Sequence, residues 1–371
     1  MVRLGGTFGV LVARVALPAL VWACSGNASG PAPAPPPPPP PCASTATAQV
    51  IAATPVDEVN FLDELLWASS GNEILYTSEP ISGPFALKAF DVVSQVVRVL
   101  DGRNAYYKSL VLSPDGQSVF YAAALDLQRP SYTIYRTPVA GGSPERLVDS
   151  VDAGFLLSPD GVHVAYAPEE SPDSALLLDL VTKARTFVTR GNLVAFSPDG
   201  LELLMSSQPV GAAESYFVVT VGNGATEPVP GLTRPLIVRW DPDGIRALVV
   251  ADSSPLYNDL YIRNFTTNTS TKMACPVPAF VWRWNVSPDG QRVGYWVEPG
   301  GAGPLPAMLV LASAQEAHVL RATDGRDPVG TIAFAPDGGR LAYISGTQIL
   351  ISPLPLGEIA AIPPFDAAKT P

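Results

Sequence analysis

Few residues in this chain are of a type that carries covalent chemistry, and none has the spacing for it. The two histidines, His163 and His318, stand alone, one in a polar strand position and one in Glu316-Ala317-His318-Val319-Leu320. There is no G-x-S-x-G elbow, no H-E-x-x-H and no Asp-rich calcium loop. Cys24, Cys42 and Cys275 lack zinc spacing. The chain therefore predicts no catalytic residue, no metal and no cofactor, unless the fold gathers carboxylates that are distant in sequence. Non-covalent chemistry is better represented. Arginine recurs in short polar links: Asp101-Gly102-Arg103-Asn104, Thr189-Arg190-Gly191-Asn192, Thr233-Arg234-Pro235 and Asp324-Gly325-Arg326-Asp327. A guanidinium offers a planar fork of donors that suits carboxylates. Tyr106, Tyr107, Trp282, Arg283 and Trp284 stand close to such links and bring large contact area.

The links punctuate a repeat. Leu112–Gly116 and Leu157–Gly161 both read LSPDG, and Phe196–Gly200 reads FSPDG. Related turns follow at Asp241–Gly244 (DPDG), Ser287–Gly290 (SPDG) and Ala335–Gly338 (APDG), with an eroded copy at Trp67–Gly71. Proline presets φ for the second turn position, and serine and aspartate bond nearby backbone N–H groups. Glycine takes the positive φ that returns the chain to a strand. The pairs Asp115 and Gly116, Asp160 and Gly161, Asp199 and Gly200, Asp243 and Gly244, Asp289 and Gly290, and Asp337 and Gly338 are thus structural turn residues, not catalytic ones. Counting the eroded Gly71, successive turn glycines lie 45, 45, 39, 44, 46 and 48 residues apart. A period of about 40–50 residues indicates a propeller, solenoid or array.

The flanking columns settle the element type. Three residues after the glycines stand Ile74, Val119, Val164, Leu203, Ala247, Val293 and Leu341, and five after stand Tyr76, Tyr121, Tyr166, Met205, Val249, Tyr295 and Tyr343. The position between glycine and the first column is mostly polar, as in Glu73, Ser118, His163 and Arg292. This is the period of two of a half-buried strand. Each unit has room for two further strands, as in Ala175–Leu180 and Ala184–Thr189. The reading is all-β: a seven-bladed β-propeller of four-stranded antiparallel blades over residues 47–365. The last unit reads as complete, with a fourth strand at Glu358–Ile362, and residues 47–54 are a second candidate for its outer edge.

The repeated hydrophobic-SPDG-x-x-hydrophobic-x-Tyr unit resembles the propeller repeat of the TolB family over roughly residues 60–365. Such repeats also occur in propellers attached to prolyl-oligopeptidase-type hydrolases and in lone extracytoplasmic propellers, so the resemblance implies fold more than function. It would also imply an extra α/β domain ahead of the propeller, for which the sequence leaves no room.

Residues 1–23 carry Arg3 and Arg14, no acid, and an apolar run from Val15 to Ala23, the pattern of a signal peptide. Val21-Trp22-Ala23-Cys24 resembles a bacterial lipobox, which would make Cys24 the lipidated new N-terminus; the alternative is a plain secretory signal. Residues 24–46 include seven consecutive prolines, Pro35–Pro41. A rod at about 3.1 Å per residue would lift a domain clear of a membrane, spanning about 34 Å over residues 31–41 alone. Residues 366–371 form a short tail. The remaining thiols, Cys42 and Cys275, either pair in an oxidising compartment or stay separate.

Charge narrows the partners. All but two of the 23 basic residues, and all 34 acidic ones, follow residue 44, which leaves a net charge of −13 there. Such a balance argues against nucleic acid and against docking on anionic lipid. The expectation is a non-catalytic, lipid-anchored propeller of the cell envelope that binds a protein partner. Arg103, Arg190, Arg234 and Arg326 would ring the channel mouth opposite the SPDG turns, with Tyr106, Tyr107, Trp282, Arg283 and Trp284 beside them. The competing expectation for those arginines is pairing with local aspartates. Competing functions are a propeller lyase or lactonase using channel carboxylates or a metal, and a sugar-binding module using Trp282 and Trp284.

Overall fold

The computed structural model describes residues 64–79, 84–126, 128, 131–209, 211–232, 237–241, 244–252, 257–273, 277–278, 281–297, 308–314, 317–322, 329–346 and 348–354. Among them every regular element is a strand. The signal segment, Cys24, the proline tether, Cys42, Cys275, the segment 47–54 and Glu358–Ile362 lie outside the described residues.

The strands form antiparallel meanders. The first is β1 (Leu65–Trp67), β2 (Glu73–Ser78), β3 (Ala86–Asp91) and β4 (Val97–Asp101), paired in that order. Next come β5 (Tyr106–Leu112), β6 (Ser118–Ala124), β7 (Tyr132–Pro138), β8 (Glu145–Leu157), β9 (His163–Pro168), β10 (Ser174–Asp179) and β11 (Arg185–Arg190), a single seven-stranded sheet. Then follow β12 (Asn192–Phe196), β13 (Glu202–Ser207), β14 (Ser215–Thr220) and β15 (Thr226–Pro228). The next sheet is β16 (Ile237–Asp241), β17 (Gly244–Asp252), β18 (Tyr257–Asn264) and β19 (Thr269–Lys272), with β20 (Val277–Pro278) also on β18. The last two are β21 (Val281–Val286), β22 (Val293–Val297), β23 (Met308–Ala312) and β24 (Ala317–Ala322), and then β25 (Val329–Phe334), β26 (Arg340–Ser345) and β27 (Gln348–Pro353). The expected count of seven units follows if the seven-stranded sheet is divided at β8.

Strand β8 is the departure from expectation. It pairs with β7 through Glu145–Val151 and with β9 through Val151–Leu157, so it ends one meander and begins the next. The physical reason is local. Other links between meanders contain Gly102, Gly191 or Pro235, which interrupt extended backbone, whereas Val148-Asp149-Ser150-Val151 contains no breaker. Its register shift is absorbed between Val151 and Phe155, with Ser150 at φ 52°.

The core sits between meanders. Leu75, Leu87 and Leu100 of the first pack on Tyr107, Val119 and Tyr121 of the second. Leu204 and Tyr216 pack on Ile245 and Ala247, and Leu260 and Ile262 on Val293 and Tyr295. Leu65, Trp67 and Ile74 pack on Ala333, Ile344 and Ile351, so the last meander meets the first and the stack closes on itself. At that closure the Trp67 indole N–H donates to the Ala333 carbonyl at 3.0 Å, and the Arg340 guanidinium lies 4.9 Å from the Trp67 ring. Each sheet is apolar on both faces, and stacking hides both. The first strands touch one another in order, β1 on β5, β5 on β8, β8 on β12 and β12 on β16, and β25 meets both β21 and β1. They therefore line the axis.

The SPDG turns have the expected chemistry. Ser113 Oγ donates to the Asp115 carboxylate and accepts from Ser118 N at 2.9 Å, while Asp115 accepts from Gln117 N at 3.0 Å. Ser158 with Asp160, Ser197 with Asp199 and Ser287 with Asp289 repeat the pattern. In the last copy Ala335 has no hydroxyl, and Asp337 accepts from Gly339 N at 2.8 Å and from Arg340 Nη2 at 3.3 Å. In the eroded copy Ser70 replaces aspartate, accepting from Asn72 N at 3.2 Å. The fifth copy differs: Gly244 pairs directly with Asp241 and has φ 124°, and Asp243 lies outside the described residues.

Candidate functional site

A meander that begins at the axis leaves two rims. One carries the SPDG turns and the third-to-fourth strand turns. The other carries the second-to-third connections and the links between meanders. On the SPDG rim, neighbouring turns pack on each other at two of the copies. A Cβ on Gly116 would stand 2.9 Å from Ser69 Oγ, and one on Gly161 would stand 3.0 Å from the Pro114 ring, each in the preceding turn.

The opposite rim differs from the expected arginine ring. Arg103, in the link from β4 to β5, grips Asp101 with two nitrogens: Nε is 2.8 Å from Oδ1 and Nη2 is 2.6 Å from Oδ2. Its guanidinium lies 3.9 Å from the centre of the Tyr135 ring. Asp101 is 3% exposed and also accepts from the Tyr121 hydroxyl at 2.8 Å, while the Tyr107 hydroxyl donates to its carbonyl at 3.2 Å. Tyr107, Tyr121 and Tyr135 follow one another at centroid spacings of 5.8 Å. Burial pushes the Asp101 carboxyl up, but the bonds from Arg103 and Tyr121 outweigh it and hold it below the usual range. Burial and the neighbouring Asp101 charge push the Tyr107 and Tyr121 phenols well above theirs.

Two of the expected contacts are therefore corrected. Arg103 is committed to Asp101 and to Tyr135 of β7, a third strand away from the axis. Tyr107 is fully buried and touches no solvent. Arg190 is exposed, but its Nη1 lies 3.2 Å from Asp173 Oδ2 in the turn after β9, again off the axis. Both described link arginines thus follow the local-aspartate alternative. Tyr106 is partly buried against Phe85, at 5.4 Å between ring centres. Trp284 lies over Tyr295 at 5.3 Å and joins the core between the fifth and sixth meanders. Arg283 occupies the bulge of β21 with φ 56°. Arg234, Arg326 and the Trp282 side chain lie outside the described residues. His163 sits on β9 opposite Asp179 of β10, a partly exposed strand position.

Sequence reasoning missed the residues that do face the axis. Where β5, β8 and β12 converge, a recess of about 270 Å³ is lined by Ser109, Asp152, Gly154, Phe155, Leu156, Ala167, Pro172, Asn192 and Leu193. Phe155 and Ala167 are buried, whereas Asp152, Gly154, Pro172 and Asn192 are exposed. Apolar floor and polar lip are the usual composition of a binding recess. Beside it Glu64 accepts from Ser109 N at 2.7 Å and Leu110 N at 2.8 Å, which holds the bulge of β5 where Ser109 has φ 56°. Tyr132 stands within the field of Glu79, Asp152 and Glu64; burial first, and then those charges, push its phenol up. On the same rim, the Ser131 hydroxyl donates to Glu169 at 2.5 Å. The mouth at these meanders is acidic.

A signal for these residues existed. Seven positions before the turn glycines stand Glu64, Ser109, Gly154, Leu193, Ile237, Arg283 and Thr331. This column has no common type, although the columns around it are regular. It falls within the bulges of β5, β8, β21 and β25 and adjoins that of β12.

No family model matches the chain, and no curated protein matches it. Solved structures do. The C-terminal WD40 domain of Sif2 is similar with a TM-score of 0.56 at 10% identity, covering 84% of this chain and 99% of that one. TolB from Acinetobacter baumannii is similar at 16% identity and a TM-score of 0.43, covering 76% of this chain and 79% of that one. The β-propeller domain of the Trilobed protease from Pyrococcus furiosus gives 17% identity and a TM-score of 0.47, over 68% and 86%. Structures similar to this chain thus include TolB and other β-propeller domains. The Sif2 likeness, together with the closed stack of meanders, makes this chain a β-propeller.

Proposed function

We propose that the chain is a seven-bladed, non-catalytic propeller held at the cell envelope by a lipid on Cys24, and that it binds a protein partner at the rim opposite the SPDG turns. The asymmetry of the rims supports this reading. On one rim turns pack on turns around a small recess of about 120 Å³ at Arg246, Thr269 and Gly290, and the other opens a recess of about 270 Å³ among three axial strands. The acidic mouth turns away polyanions and suits a polar or basic surface. The signal-like N-terminus and proline rod support the anchor, which would hold the domain off the membrane.

Site-specific photocrosslinking in envelopes tests it. A photoreactive residue in place of Asp152 or Asn192 should give one discrete adduct of higher mass. The same residue in place of Asp115 or Asp199, on the SPDG rim, should give none. Adducts confined to the SPDG positions would reverse the assignment. In parallel, Cys24→Ala should move the protein from the membrane pellet to the soluble fraction, and a variant that still pellets would remove the anchor from the reading.

A further inference from the structure

The recess between β5, β8 and β12 has a shape and charge that select one kind of guest. At about 270 Å³ it falls just under the range of about 300–1,000 Å³ usual for whole small-molecule ligands. It therefore suits one long side chain better than a cofactor. Its floor is apolar: Phe155 and Ala167 are buried, with Leu156, Leu193 and Pro172 alongside. Its lip is polar and carries one formal charge, the carboxylate of Asp152. That carboxylate is exposed, and its one described bond is to the adjoining Ala153 N at 2.8 Å. No lysine or arginine is among the lining residues. Arg190, two residues from Asn192, is engaged by Asp173. Glu64, against the Ser109 wall, adds negative potential.

We infer that this recess seats a lysine or arginine side chain from an extended segment of the protein partner, its methylene stem on Phe155 and Leu193 and its cationic head at Asp152 and Asn192. The inference rests on the protein-binding reading above and deepens it. Long cationic side chains commonly lay their stems on apolar surface while the head stays wet, and this recess offers both surfaces in that order. A neutral apolar side chain would leave Asp152 facing a dry guest. An acidic one would meet Asp152 and Glu64 as like charges, so the surface discriminates by repulsion as well as attraction.

The test uses the full-length protein, isotope-labelled, and two small probes that differ only in charge: Nα-acetyl-arginine methylamide and its citrulline counterpart. At millimolar concentration the arginine probe should shift the backbone amide signals of Ser109, Gly154, Asn192 and Leu193 and reach saturation. The citrulline probe should bind at least fivefold more weakly. Asp152→Asn, which keeps the acceptor for Ala153 N, should lower arginine affinity at least fivefold. Asn192→Asp adds a charge at the lip and should raise it about threefold, a gain that misfolding cannot produce. Equal binding of the two probes, shifts located on the SPDG rim, no shift at all, or an Asn192→Asp variant that binds no tighter would each overturn the inference. The two readings fail separately. Crosslinks from position 152 without arginine binding remove the cation pocket and leave the protein-binding rim. Arginine binding without crosslinks keeps the pocket chemistry and removes the protein partner.

Discussion

Replacing Arg103 with alanine separates a structural arginine from a binding one, because the two roles predict different observables. The guanidinium makes charge-assisted bonds to both oxygens of Asp101, whose side chain is 1% exposed, and covers the face of Tyr135. Its removal leaves that carboxylate with the Tyr121 hydroxyl as its remaining side-chain donor. Stripping one partner from a buried pair costs about 3–5 kcal/mol, chiefly because the other charge stays desolvated. Arg103 itself is 32% exposed, so water can reach the vacated site, which places the expectation near the lower bound, about 3 kcal/mol. Chemical denaturation of wild type, Arg103→Ala, Asp101→Asn and the double variant gives a cycle with an expected coupling of about 2 kcal/mol.

The pH dependence fixes the sign. The folded-state carboxyl of Asp101 lies below the ordinary value of 3.8. Its contribution is therefore complete above that value and is lost as pH falls through the lowered folded-state range. The gap in stability between wild type and Arg103→Ala should accordingly narrow in acid. If Arg103→Ala unfolds within about 0.5 kcal/mol of wild type, as surface substitutions do, the network does not hold Arg103, and its assignment as a free mouth residue returns.

Other substitutions test the repeat. Gly116→Ala and Gly338→Ala both force a side chain to positive φ (68° and 66°), but only the first also meets a neighbour, Ser69 at 2.9 Å. Thermal melts should show Gly338→Ala costing about 1 kcal/mol and Gly116→Ala clearly more; equal losses would mean that the turns do not pack on each other. Ala335→Ser restores the hydroxyl that the last turn lacks, so it should stabilise by about 0.5–1 kcal/mol, and a neutral or harmful result would deny that the Ser–Asp pair holds these turns. Trp67→Phe deletes the indole bond to Ala333 across the closure of the stack. It should cost about 1–2 kcal/mol and speed hydrogen exchange in β1 and β25 relative to β13; uniform protection would mean that the stack does not open at that seam.

What was legible follows from how far each signal travels along the chain. The SPDG turns and the alternating strands were readable because each is set within a dozen residues: Ser113 bonds Asp115 and Ser118, and Tyr121 lies five residues after Gly116. The continuity of β8 was readable in principle, since nothing between Val148 and Val151 breaks a strand. The mouth was not readable in the same way. Arg103 and Arg190 look alike in the links, yet their partners are fixed by different means. Asp101 is two residues from Arg103, so that pairing was visible. Asp173 is 17 residues from Arg190, across a hairpin.

The recess lies further still from any local rule. Ser109, Asp152 and Asn192 belong to three different strands, and they meet only because β5, β8 and β12 stand side by side at the axis. In such a fold the positions that obey the repeat build the walls, since every unit must hide the same faces. A position free of that duty can vary from one unit to the next. The column seven residues before each turn glycine is such a position. It holds a carboxylate at Glu64, a hydroxyl at Ser109, no side chain at Gly154 and a guanidinium at Arg283. The place where the repeat stops repeating is the place where one sector of the ring becomes chemically distinct from another, and a partner that binds off the axis needs that distinction.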